Sequence, residues 1–298
     1  MLRSRSATTG LGVALYLAGI FMFAVNDALG KWLVADYGVG QLMMLRSIGA
    51  GAVLAPMALT LRVDLFDARQ APLQALRVLI TAVDTFLFYY ATRYMPLADV
   101  MTFYMATPLI VTALSAPLLG EKVDRFRWIA VTIGFVGVLI ALRPSRQLFS
   151  EVAPLALFGA VMFALGQTIT RQLRRTHWLP LVLWQFVGGG LIGAATIPFA
   201  WTPPTAFDVG LMFLVGAVSM ISFIFIVRAL ALAPASALAP LQYSAILWAA
   251  IMGWLVWRDA PTFPIVLGAA IIVGNAIIIG SGLIVAAKGG EVLEKPIE

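Results

Sequence analysis

The chain has 298 residues, of which 61% are hydrophobic and only 11% charged; soluble domains carry about 25% charged residues, so a soluble fold is excluded. The net charge of +6 comes from basic residues scattered among short segments, with no continuous stripe of the kind a nucleic-acid partner needs. Cysteine is absent, which removes disulfide frameworks, thiolate nucleophiles and cysteine metal sites; at roughly 20 apolar residues per span, the length holds about ten helices and little else.

In chain order, hydropathy predicts the first helix near 11–33. The basic start Met1-Leu2-Arg3-Ser4-Arg5 resembles a signal peptide, but the apolar stretch runs on to Asn26 and Asp27 without a small-x-small cleavage site. The second helix, near 39–61, carries Arg46 at a depth similar to that of Asp27. Opposite charges on helices joined by a short loop are expected to pair, because each relieves the other's desolvation. The competing role for Arg46 is to meet a substrate carboxylate with its planar fork of donors. The third helix, near 74–94, holds Asp84 at its middle, with Thr81, Thr85, Tyr89 and Tyr90 around it. Ionisable residues deep in a span are costly and mark function by default. Asp84 therefore reads as a coupling carboxylate or the partner of a substrate ammonium, a structural contact to Arg46 being the alternative.

The fourth helix, near 96–119, contains Phe103, Tyr104, Thr107 and Pro108, and the fifth, near 125–143, contains Gly134 and Gly137 at close-packing positions. After the sixth helix, near 151–171, comes a basic loop with the single histidine, His177, expected in solvent. The seventh is predicted near 179–200 and the eighth, with Ser222 and Phe223, near 205–232. The ninth, near 234–257, holds Pro240, Gln242, Tyr243, Ser244 and Trp248; the tenth, near 262–286, holds Gly274 as a further packing position. Pro108 and Pro240 are expected to interrupt their helices and free backbone carbonyls.

With both termini placed in the cytoplasm, fourteen Lys and Arg residues fall inside and five outside, Arg46 within a span being left out. The positive-inside rule favours this orientation, that of a bacterial-type inner membrane protein. The sequence also repeats. Gly19 to Lys31 aligns without gaps with Gly159 to Arg171, at an offset of 140, sharing Met-Phe-Ala and a basic end. Ala91, Pro96 and Glu121 match Ala229, Pro234 and Asp259 at an offset of 138. Two halves of five helices each, residues 1–145 and 146–298, are expected; an odd number of spans inverts the second half relative to the first. Such repeats support alternating access around a midplane site. The 138 offset pairs Asp84 with Ser222, Tyr104 with Gln242 and Met105 with Tyr243. The predicted cavity is thus lined by Asp84, Tyr89, Phe103, Tyr104, Thr107, Ser222, Phe223, Gln242, Tyr243 and Trp248, with Asp27 and Arg46 as ion pair or gate.

Ala91 to Pro96-Leu-Ala-Asp, Thr107-Pro108-Leu, Leu118-Leu119-Gly120-Glu121-Lys122, Trp128 and Gly134-x-x-Gly137 resemble the EamA-type branch of the drug/metabolite transporter superfamily. The second half departs from that pattern, with Arg258-Asp259 where Gly-Glu is expected. The resemblance implies an all-α membrane protein of ten helices in two inverted repeats around a central cavity, and export of amino acids or related metabolites. Rings beside amide and hydroxyl groups favour neutral or aromatic amino acids; efflux of hydrophobic cations, with Asp84 as charge partner, is the alternative. An intramembrane lipid-modifying enzyme would need clustered acids, bases or metal ligands, and one histidine with scattered carboxylates does not supply them. No cofactor, metal or catalytic residue is expected; the partners are a small-molecule substrate and membrane lipid, for a monomer. There is no phosphate-cradling Gly-rich loop followed by Lys-Ser/Thr, which argues against ATP-driven pumping.

Overall fold

A computed structural model describes residues 2–65, 70–143, 150–248, 251 and 263–274, and these contain helices and no strands. The helices are α1 (Leu2–Asp36), α2 (Val39–Leu61), α3 (Ala71–Tyr94), α4 (Leu97–Tyr104), α5 (Thr107–Leu119), α6 (Arg125–Leu142), α7 (Ala153–Gln172), α8 (Trp178–Thr196), α9 (Ala206–Leu232) and α10 (Ala235–Leu238). Eight helical segments among the described residues are long and apolar enough to cross a membrane. The 27 residues of α9 span about 40 Å at a rise of about 1.5 Å per residue, more than a hydrocarbon core of about 30 Å, so this helix has room to tilt. Leu59, Leu191 and Phe199 are exposed. In lipid that exposure carries no penalty, and the chain is a multi-pass membrane protein.

The fourth predicted helix is two helices. Proline lacks an N–H and its ring clashes with the carbonyl four residues back, a conflict of about 3 kcal/mol in a helix interior. The break falls there: Pro108 starts α5, and tight turns (Ala106 N–H to Phe103 O at 3.0 Å, Leu109 N–H to Ala106 O at 3.1 Å) join it to α4. The ninth predicted helix breaks in the same way, into α10, a 3-10 turn over Ala239–Tyr243 around Pro240, and a helical stretch to residue 248. Residues 252–262, with Arg258 and Asp259, lie outside the described residues. Of the tenth predicted helix, Phe263–Gly274 is seen.

Packing pairs α1 with α9, α2 with α8 and α3 with α7. Small residues let the backbones meet: a Cβ on Gly40 would stand 2.7 Å from the Gly193 carbonyl, and one on Gly193 would stand 2.6 Å from the Gly40 carbonyl. Gly137 likewise packs on Gly268, as its sequence position suggested. Around Gly274 no atom of the described residues lies within 4 Å of where its Cβ would be. Two polar expectations also change. Arg77, one of the fourteen basic residues placed inside, is fully buried in α3, where it donates to Gln74 at 3.1 Å, Gln185 at 3.2 Å and the Leu181 carbonyl. His177 is exposed as expected, but it also caps α8, its Nδ1 accepting from the Leu179 N–H at 3.2 Å.

Candidate functional site

A cavity of about 850 Å³ lies between α1, α3, α4, α7, α9 and the broken segment after α10. Its polar lining comes from Asn26 and Asp27 of α1, Arg46 of α2, Asp84 and Tyr89 of α3, Tyr104 of α4, Gln167 of α7, and Gln242; Tyr16 also contributes. Phe23, Phe88, Phe163 and Phe223 supply the rings. Phe23 meets Phe223 edge-on at 5.1 Å, and Phe88 meets Tyr104 in the same way at 5.1 Å.

Three hydrogen-bonded groups organise this lining. Tyr104 donates its hydroxyl to the Asp84 carboxylate at 2.8 Å. Tyr16 donates to Gln167 Oε1 at 2.8 Å, and Gln167 Nε2 donates to Gln242 Oε1 at 3.1 Å. The Tyr89 hydroxyl accepts from both Arg46 Nη1 and Asn26 Nδ2 at 3.1 Å each, while Asn26 also donates to Asp27 at 3.0 Å and accepts from Ser219. Glycine makes room for two of these tyrosines. A Cβ on Gly159 would fall 2.4 Å from the Tyr104 hydroxyl oxygen, and one on Gly30 would fall 2.3 Å from Cε1 of Tyr89.

Of the residues expected in the cavity, Asp27, Arg46, Asp84, Tyr89, Tyr104, Phe223 and Gln242 line it. Five others are placed elsewhere. Thr107 is buried and donates to the Ala160 carbonyl at 3.4 Å; Ser222 donates to the Val218 carbonyl one turn back at 3.0 Å; the Tyr243 hydroxyl reaches the Val131 carbonyl at 2.9 Å. Backbone carbonyls satisfy these hydroxyls, so they need no cavity. Phe103 packs into the core and Trp248 sits edge-on to Phe21 at 5.0 Å. The expected Asp27–Arg46 ion pair is likewise not formed among the described residues, where Arg171 and Glu121 do form one. Asn26 and Tyr89 take the nearby hydrogen bonds in its place. Sequence reasoning did not single out Tyr16 and Gln167, although Gln167 is the residue that the 140 offset aligns with Asp27.

The cavity lining continues to Lys31, Trp32 and Ala35 at the end of α1, Leu97 at the start of α4 and Leu142 at the end of α6. A second set of contacts ties the far ends of these helices together. There Gly120, with φ +65, ends α5 in a left-handed turn that bonds its N–H to the Ala116 carbonyl and the Glu121 N–H to the Ser115 carbonyl. The turn presents Glu121 to three elements. Its carboxylate accepts from Arg171 Nε at 3.2 Å, from the N–H groups of Ala235 and Ser236 at 3.1 Å each, and from the Ser236 hydroxyl at 2.7 Å. Burial pushes this carboxyl up, but the hydrogen bonds from Ser236 and Ala235 and the Arg171 charge outweigh burial and leave it below the usual carboxylate value. Arg171 also donates to the Leu230 and Ala231 carbonyls at the end of α9, at 2.7 and 3.3 Å. At the end of α1 Lys31 does the same for α3, donating to the Thr92 and Met95 carbonyls at 3.1 and 3.3 Å.

A bundle of membrane-crossing helices around a polar and aromatic cavity is the architecture of a small-molecule transporter. The EamA-like transporter family model matches residues 10–143 and again 152–281, and the chain belongs to that family. It is 27% identical to the pseudopaline exporter CntI of Pseudomonas aeruginosa (strain UCBPP-PA14) over 265 residues, covering 87% of this chain and 92% of that protein. It is 21% identical to the S-adenosylmethionine uptake transporter of Rickettsia prowazekii (strain Madrid E), covering 87% and 89% of the two chains. A riboflavin transporter of Vibrio cholerae is 26% identical over 162 residues, 53% of this chain and 54% of that one. A solved crystal structure shares the fold, with a TM-score of 0.79 at 20% identity over 92% of this chain and 98% of that chain. The chain is a metabolite transporter.

Proposed function

We propose that this transporter is a secondary carrier or facilitator that exports neutral or aromatic amino acids by alternating access. The cavity carries this reading: rings, two carboxylates, a guanidinium and three carboxamides share about 850 Å³, a chemistry suited to a small molecule with a polar head and an apolar side chain. The relative 27% identical to this chain is named an exporter, which supports the direction.

The architecture belongs to the same proposal. Ten membrane-crossing helices form two inverted halves, residues 1–145 and 146–298, around the cavity. In support, Lys31 ties the end of α3 as Arg171 ties the end of α9, and these residues correspond at the 140 and 138 offsets seen in the sequence. The packing of α1 on α9 is matched by that of α7 on α3 when the halves are exchanged. Both termini are placed in the cytoplasm of a bacterial-type inner membrane by the excess of Lys and Arg in the corresponding loops. In that orientation the cavity opens outward, Glu121 closes the cytoplasmic face, and a monomer in lipid suffices. Asp27 and Asp84, which form no ion pair among the described residues and lie among rings, favour efflux of hydrophobic cations as the second reading.

Counterflow separates the two. Proteoliposomes loaded with unlabelled amino acid and diluted into the labelled compound should accumulate label for neutral and aromatic amino acids. Accumulation of a lipophilic cation, with none of any amino acid, would replace the first reading by the second.

A further inference from the structure

Three arginines are buried among the described residues, Arg46, Arg77 and Arg171, and two of them are satisfied. Arg77 is held by two glutamines and a carbonyl, and Arg171 by Glu121 and two carbonyls. Arg46 is different. It is 5% exposed, forms no ion pair among the described residues, and makes one hydrogen bond, from Nη1 to the Tyr89 hydroxyl, whose ring lies 5.3 Å from the guanidinium carbon. Its Nε is buried without an acceptor. A buried guanidinium with unused donors is unfavourable unless something else supplies the anion. Asp27 and Asp84 line the same cavity yet neither serves as that anion.

Packing holds Arg46 in place. A Cβ on Gly216 of α9 would come within 2.1 Å of the Arg46 carbonyl oxygen, so α2 and α9 are clamped together at this residue. The Tyr89 hydroxyl already accepts two donors, which leaves its own proton available beside the guanidinium.

We infer that Arg46, assisted by the Tyr89 hydroxyl, is the anchor for a carboxylate on the transported molecule. The guanidinium offers parallel N–H groups matched to two carboxylate oxygens, and the ammonium of the same molecule is left to Asp27 or Asp84. This rests on the amino-acid reading above and deepens it: a substrate must carry a carboxylate, and a cation without one lacks the anchor.

The test uses three probes on purified full-length protein: phenylalanine, 3-phenylpropionate (carboxylate without amine) and phenethylamine (amine without carboxylate). Binding is read by thermal shift and by competition in counterflow. Wild type should bind phenylalanine and 3-phenylpropionate. Arg46→Gln should weaken both at least tenfold while leaving phenethylamine unchanged, and Arg46→Lys, which keeps the charge but not the fork, should fall between. If Arg46→Gln proves too unstable, the Lys variant alone decides, since equal binding by it and wild type removes the bidentate anchor. Phenylalanine counterflow with no loss in either variant overturns the anchor and leaves the amino-acid reading standing. Arg46-dependent binding of 3-phenylpropionate without phenylalanine transport does the reverse. Binding of neither carboxylate by wild type overturns the anchor.

Discussion

Asp84 accepts a hydrogen bond from the Tyr104 hydroxyl, lines the cavity and forms no ion pair among the described residues. Hydrogen bonds to a charged group contribute about 1.5–3 kcal/mol, so a carboxylate that meets substrate should matter on the order of tenfold. Asp84→Asn should therefore reduce counterflow by about tenfold with the thermal midpoint little changed; an unaltered rate would make the residue structural. Gly159→Ala tests the same group from behind. Its new Cβ drives the Tyr104 hydroxyl off Asp84, so its transport defect should match that of Tyr104→Phe, and the two should not add. Asp84, Tyr104 and Gln242 were legible in the sequence because polar groups at mid-span have few ways to be satisfied. Thr107, Ser222 and Tyr243 looked the same in sequence. What differs is a backbone carbonyl within reach of each, which depends on helix rotation and on the partner helix, and composition carries neither.

The elements that hold the cavity shut were half visible. Gly120-Glu121 reads in sequence as a motif, and the fold supplies its reason: a left-handed turn that aims a carboxylate at the start of α10 and at Arg171 of α7. Because the Glu121 carboxyl titrates below its ordinary value of 4.5 when folded, this tie is fully present above that value and is lost as pH falls through the depressed one. Wild type should thus exceed Glu121→Gln in thermal midpoint at pH 7, and the two should converge as the pH is lowered through that range. A constant gap down to pH 3 would show that the carboxylate's charge plays no part. At 96–119 and 234–257 hydropathy shows one continuous apolar span, and it is Pro108 and Pro240 that mark the breaks within them. Hydropathy sums side chains over a window, whereas the break is a backbone conflict at Pro108 and Pro240.

At the scale of the whole molecule, the bundle follows from composition and span length, and the offsets of the repeat relate the α1–α9 pairing to the α7–α3 pairing without predicting either. The closing contacts do not follow from the sequence, since they join residues 50 to 115 positions apart that the offsets do not relate. Orientation is tested easily in a chain without cysteine. A cysteine in place of Arg174 should react with an impermeant maleimide only in opened cells, and labelling in sealed cells would invert the topology. The claim on which the account rests is that an amino acid passes through this cavity, and Ala245, a small residue in its lining, allows that to be measured directly. Ala245→Cys should be labelled from outside by a hydrophilic maleimide, and a transported amino acid should slow the reaction at concentrations near its half-saturation for counterflow. A cysteine there that no external reagent reaches, or whose labelling is the same with every amino acid present, would contradict it.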